Sequence, residues 1–165
     1  MDVVSEEKDE KLKEELKNRY SIRYGSWGAA RADFPERLTF YWPYDREEYR
    51  DRVRRTSDFV EDFEFEELYV IAFEREQYAE YEKNFEEKYD NRSVKLSPSE
   101  IPEVAEDLIE FMIIPKPMNW MIIFDHEGDI SFNGNKKFIE EVKNFFEDWE
   151  ELSEFPERRD FGRRD

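Results

Sequence analysis

The single histidine of this 165-residue chain, His126, stands in the stretch DHEGD, with Asp125, Glu127 and Asp129 around it. Imidazole and carboxylate groups build metal sites and general acid–base sites, so this pentapeptide is the first place to look for chemistry. Its spacing argues against both. Adjacent residues of a tight turn point in different directions, no second histidine supplies a ligand, and the segment lacks the ligand order of a calcium loop. Asp first and Gly fourth are instead the preferences of a type I turn, with Gly128 in the left-handed conformation that closes a bulged hairpin. Asp125, His126, Glu127 and Gly128 therefore read as an exposed hairpin turn, with His126 at most a contact residue and no metal bound.

Other chemistries fare no better. With 44 acidic residues in the chain, carboxylate pairs at glycosidase-like spacing can always be found and diagnose nothing. GSWG is not followed by the Lys-Ser or Lys-Thr of a phosphate-binding loop, and no glycine-rich turn leads from a strand into a helix. REEYRDRVRRTSD is the one basic island, but its arginines have acidic neighbours, which suits pairing within the molecule rather than direct contact with nucleic acid. No catalytic residue and no cofactor is expected.

The distribution of negative charge is more informative. The formal net charge is -18, and between Asp58 and Glu110 eighteen acidic residues face only five basic ones. In DFVEDFEFEE, Asp58, Glu61, Asp62, Glu64, Glu66 and Glu67 are interleaved with Phe59, Phe63 and Phe65. A second patch, FFEDWEELSEF, sets Asp148 and Glu151 beside Trp149. Carboxylates mixed with aromatics suit a surface that binds a basic partner, since charge steers the encounter and aromatic anchors hold it. The plain alternative is a solvated acidic surface with its aromatics turned inward.

These residues need a scaffold, and hydrophobic periodicity outlines one. Leu12, Leu16 and Tyr20 give a helix from Ser5 to Tyr20 a thin apolar stripe. RLTFYW alternates as a strand, and Asp45 with Glu48 opens a helix running to about Ser57. ELYVIAFE is apolar on both faces, as a central strand is. A helix is expected over Arg75–Tyr89 with Tyr78, Phe85 and Tyr89 inward, and SVKL as a short strand. Ser97 and Glu100 cap a helix whose buried stripe is Ile101, Val104, Ala105, Leu108 and Met112, ended by Pro115 and Pro117. Asn119–Phe124 and the Ile130/Phe132 segment form a hairpin across DHEGD. Phe138, Ile139, Val142, Phe145, Phe146, Trp149 and Leu152 mark one long amphipathic helix from Asn135. The expectation is a single α+β domain over residues 1–155, with a mixed or mainly antiparallel sheet of about five strands covered by helices, and a flexible charged tail over 156–165. There is no cysteine, so disulfides and thiolate metal sites are excluded. No signal sequence or membrane-spanning apolar run is present, which points to the cytoplasm.

NWMIIFDHEGDISFNG followed by NKKFIEEVKNFF resembles the terminal strand, His-Glu turn, strand and helix of small uncharacterised bacterial proteins, some of them immunity proteins of polymorphic toxin systems. The resemblance covers about one fifth of the chain. It implies an α+β scaffold and a toxin-neutralising role. Composition and resemblance together give a non-enzymatic acidic binding or inhibitor protein, directed at a basic protein such as a nuclease toxin or a DNA-binding protein. A salt-adapted soluble domain, or a small enzyme with an unrecognised site, are the alternatives.

Overall fold

A computed structural model of the chain describes residues 1–20, 23–24, 30–31, 33–72 and 86–155. In chain order its elements are β1 (Asp2–Val3), α1 (Glu6–Arg19), β2 (Arg23–Tyr24), β3 (Ala30–Arg31), β4 (Glu36–Phe40), α2 (Arg46–Glu61), β5 (Glu67–Ala72) and β6 (Val94–Lys95). A 3₁₀ turn (Pro98–Glu100) then leads into α3 (Ile101–Asp107), β7 (Phe111–Lys116), β8 (Met121–Phe124), β9 (Ile130–Gly134), α4 (Lys136–Phe145) and α5 (Trp149–Leu152). Of the helix expected over Arg75–Tyr89, residues 86–89 are described and helical, with Tyr89 buried. Tyr78, Phe85 and the tail from 156 lie outside the described residues.

Seven strands form one antiparallel sheet in the order β1-β6-β5-β7-β8-β9-β4, and β2 pairs with β3 separately. Alternation along β5, β7 and β8 sends Leu68, Val70, Phe111, Ile113, Ile122 and Phe124 to one face and Tyr69, Ile71, Met112, Ile114, Met121 and Ile123 to the other. The first face is covered by α2, α3, α4 and α5 through Val53, Phe59, Val60, Val104, Phe138, Val142, Phe146 and Leu152. On the second face α1 contributes Leu12 and Leu16. Its stripe is narrow, but both leucines are buried, so this helix closes a core rather than resting lightly on the surface. The chain is a single α+β domain.

Two of the seven strands are additions to the five expected. β1 is only two residues long, too short for periodicity to show. β7 falls inside the segment read as helix through Met112 and terminated by Pro115. Helix α3 stops at Asp107, and Phe111–Lys116 crosses the sheet between β5 and β8. Pro115 is tolerated there because of register. It faces Leu68 on β5, and the Leu68 carbonyl accepts from Leu96 on the β6 side, so the proline nitrogen points away from β5. Towards β8 the ladder has already ended at Ile113.

The capping signals hold. Asp45 Oδ1 accepts from the amides of Glu47 and Glu48 at 2.8 and 3.1 Å, and Asn135 accepts from Phe138 at 2.8 Å. Ser97 and Glu100 form a capping box. The long final helix is instead two. Backbone at Phe146 leaves the helical region (φ -93°, ψ 88°), which turns its ring into the core against Phe40 and Phe132. DHEGD is the β8–β9 turn, closed by Gly128 N–H to Asp125 C=O at 3.0 Å, with Gly128 at φ +84°. A Cβ at Gly128 would also run into the indole of Trp42. Gly128→Ala should therefore lower unfolding stability by about 1–2 kcal/mol or more in urea titration, the left-handed backbone alone accounting for that much.

Candidate functional site

Helix α2 ends with Asp58 and Glu61 in its last turn and Asp62 as its C-cap, with no basic residue there. A helix C-terminus concentrates partial negative charge on its free carbonyls, so carboxylates are disfavoured at this end. The chain then turns through Phe63 and Glu64 towards β5. Opposite this corner, the β7–β8 connection supplies Asn119 and Trp120, and α4 starts from the Asn135 cap. Between them lies a groove of about 770 Å³ lined by Phe59, Phe63, Trp120, Phe138 and Phe145, with Asp62, Glu64, Glu141 and Lys137 among its polar lining. Its rings touch in series. Phe59 and Phe63 have centroids 4.8 Å apart, Phe63 and Trp120 5.7 Å, and Trp120 stacks on Phe138 at 5.3 Å and 6°. Phe59, Trp120 and Phe138 are buried, whereas Phe63 is half-buried and Phe145 keeps 36% of its surface exposed.

The eight acidic residues expected to meet a partner do not form a single surface. Asp58, Glu61, Asp62 and Glu64 are exposed, and among the described residues no ion pair holds any of them; the last two line the groove. Glu66 is exposed, 3.8 Å from Lys116. Glu67 points to the opposite face of the sheet, because strand alternation places it with Tyr69 and Ile71. There the Tyr69 hydroxyl donates to it and Lys8 and Lys95 lie at 3.3 Å, so its carboxyl is held down to about 2. Asp148 accepts from Arg55 at 2.5 and 3.1 Å, which lowers its pKa, and Glu151 is exposed on α5 near β4. Glu67 and Asp148 are thus already neutralised within the fold.

The groove's other wall escaped sequence reasoning. Trp120, Phe138, Phe145 and Glu141 lie more than fifty positions from the acidic run, and only the sheet order brings them beside it. The arginines of α2 are placed as expected. Arg50 bonds Glu106 at 2.6 Å and Glu47 at 2.6 Å, Arg46 lies 3.4 Å from Glu106, and Arg54 pairs with Asp51.

The DHEGD turn is less exposed than its composition suggests. Only Glu127 is fully exposed, while Asp125, His126 and Gly128 are half-buried. The side chains diverge, as tight-turn geometry requires. His126 Nδ1 lies 2.6 Å from buried Glu110 Oε1, Asp129 accepts from the Trp42 amide at 2.7 Å, and Asp125 accepts from the amides of Glu127 and Asp129 at 2.9 and 3.0 Å. Burial, followed by the charge of Asp129, pushes the Asp125 carboxyl up to about 6. Among the described residues no three acidic or histidine side chains converge as metal ligands, and no helix is long and apolar enough to cross a membrane.

Comparison with protein-family models, with curated proteins and with solved structures finds no match to this chain.

Two outcomes follow from these electrostatics. Asp58→Asn combined with Glu61→Gln should raise stability by about 0.3–1 kcal/mol at low salt, read as a higher Tm, because the helix end loses like charge. Asp125→Asn keeps an acceptor for both amides but has no charge to bury. Since Asp125 rises from 3.8 unfolded to about 6 folded, the wild type loses stability as pH climbs through that window. The variant's Tm advantage should be full at about pH 7 and vanish near about pH 3.5.

Proposed function

We propose that this protein is a non-enzymatic acidic binding protein that acts by occlusion, with Asp58, Glu61, Asp62 and Glu64 entering the basic cleft of a protein partner. The observation that carries this reading is the contrast in pairing. The arginines of α2 are matched to carboxylates of the same molecule, yet these four carboxylates crowd an unfavourable helix end and, among the described residues, form no ion pair. Stability is given up where contact is made, a common trade at functional surfaces. Carboxylates on a rigid corner take the positions that phosphates would occupy, so a nuclease toxin or DNA-binding protein held this way cannot admit its substrate. The final hairpin and helix, which resemble a unit of small uncharacterised bacterial proteins, some of them toxin immunity proteins, fit the same reading.

The test is capture from the source cell's lysate by the tagged protein at about 50 mM and about 500 mM salt, over which the Debye length contracts severalfold. Three proteins are compared: wild type, a variant with Asp58, Glu61, Asp62 and Glu64 changed to Lys, and a control with Glu10, Glu14, Glu140 and Glu147 changed to Lys. One basic protein should be held at low salt by wild type and control and lost by the first variant. Equal capture by both variants would remove these four residues from the interface.

A further inference from the structure

We infer that the groove between the end of α2 and α4 takes an arginine side chain of the partner in preference to lysine; this rests on the binding function proposed above. The fold contains its own precedent one residue away. The Arg55 guanidinium lies 4.9 Å from the centroid of the Phe146 ring while its two terminal nitrogens meet the two oxygens of Asp148 at 2.5 and 3.1 Å. A flat, weakly hydrated cation lies on a ring and bonds both oxygens of a carboxylate through its edge at the same time; the ammoniums of Lys8 over Tyr69 and Lys88 over Tyr89 also meet carboxylates, but as strongly hydrated point charges without that two-pronged fit.

On the groove side of α4 the same two ingredients recur with no guanidinium in the lining to complete them. Phe145, whose ring is 5.1 Å from that of Phe146, is among the few large apolar side chains exposed in the described residues. Phe63 continues the aromatic wall. Asp62, Glu64 and Glu141 stand among the groove's lining residues, and among the described residues none of the three has an ion-pair partner. Among the described residues Lys137 is the single cation in the lining and also makes no ion pair, so the acids outnumber it locally. Charge complementarity therefore selects a cationic occupant, and the exposed ring selects the planar one.

Fluorescence-anisotropy titration with two labelled Gly/Ser peptides of equal charge, one bearing spaced arginines and the other lysines, tests this at about 50 mM salt. Wild type should bind the arginine peptide about fivefold more tightly. Phe145→Leu, which keeps apolar volume at a partly exposed position but removes the ring, should bring the two peptides to parity without changing the circular dichroism spectrum. Parity in the wild type, with both peptides lost when Asp58, Glu61, Asp62 and Glu64 become Lys, would overturn the arginine inference and leave the acidic binding surface standing. An arginine preference that survives Phe145→Leu would equally overturn it. Binding of both peptides unaffected by the four Lys substitutions would overturn the acidic-surface reading itself.

Discussion

Strands β5, β7 and β8 are apolar on both faces, and everything else in the molecule answers the need to keep those faces from water. At about 25 cal/mol per Å² of apolar surface, exposing either side would forfeit a large part of the fold's stabilisation. One face receives four helices and the larger cluster of aromatic rings. The other is closed in part by α1, which is held in place by more than its two leucines. Buried Asp9 accepts from the amide and hydroxyl of Ser93 at 2.6 Å, and Arg19 and Tyr20 donate to the carbonyls of Pro117 and Met118. A helix with so narrow a stripe needs polar fastenings at both ends, and it has them.

Charge follows from this division of labour. A chain that spends its apolar residues on two cores has mainly polar ones for its surface, and here most of the charged ones are acidic. Repulsion among them is relieved where arginines are available. Along α2 the cations occupy the beginning and middle and are matched, mostly by Glu47, Asp51, Glu106 and Asp148, while the helix's last turn is left with unmatched carboxylates. The like charge is therefore not spread evenly but gathered at one corner, beside the groove between α2 and α4.

Much of this was legible in the sequence, and the failures have physical causes. Caps at Asp45 and Ser97 are local, needing only a side chain and the amides two or three residues on, so they could be read directly; those at Ser5 and Asn135 rest on the same kind of bond at positions read only as helix starts. The DHEGD turn is local for the same reason. Met112 and Pro115 misled because a short apolar run fits helix and buried strand equally, and the register that excuses Pro115 is set by Leu68, far away in sequence. Phe145 and Phe146 together suit a continuous helix until tertiary packing claims the second ring for the core. Of the candidate site, the exposure of Asp58, Glu61, Asp62 and Glu64 could be anticipated from composition. The reversal of Glu67 follows from strand parity once β5 is located. The aromatic wall, and the salt bridge that removes Asp148 from the surface, depend on long-range contacts that no local pattern encodes.

The break at Phe146 has a mechanical side. It carries Asp148 back to Arg55, so the Arg55–Asp148 pair, with Phe59 and Phe146 packed at 6.0 Å, rivets α4 to α2 at one end of the groove. At the other end Phe63, just past the end of α2, and Phe138 of α4 both meet Trp120. A cleft pinned at both ends cannot gape or collapse freely, so an occupant meets walls that are already in place and little conformational entropy remains to be lost on docking. Differences among occupants then belong chiefly to how quickly each escapes, not to how quickly each arrives.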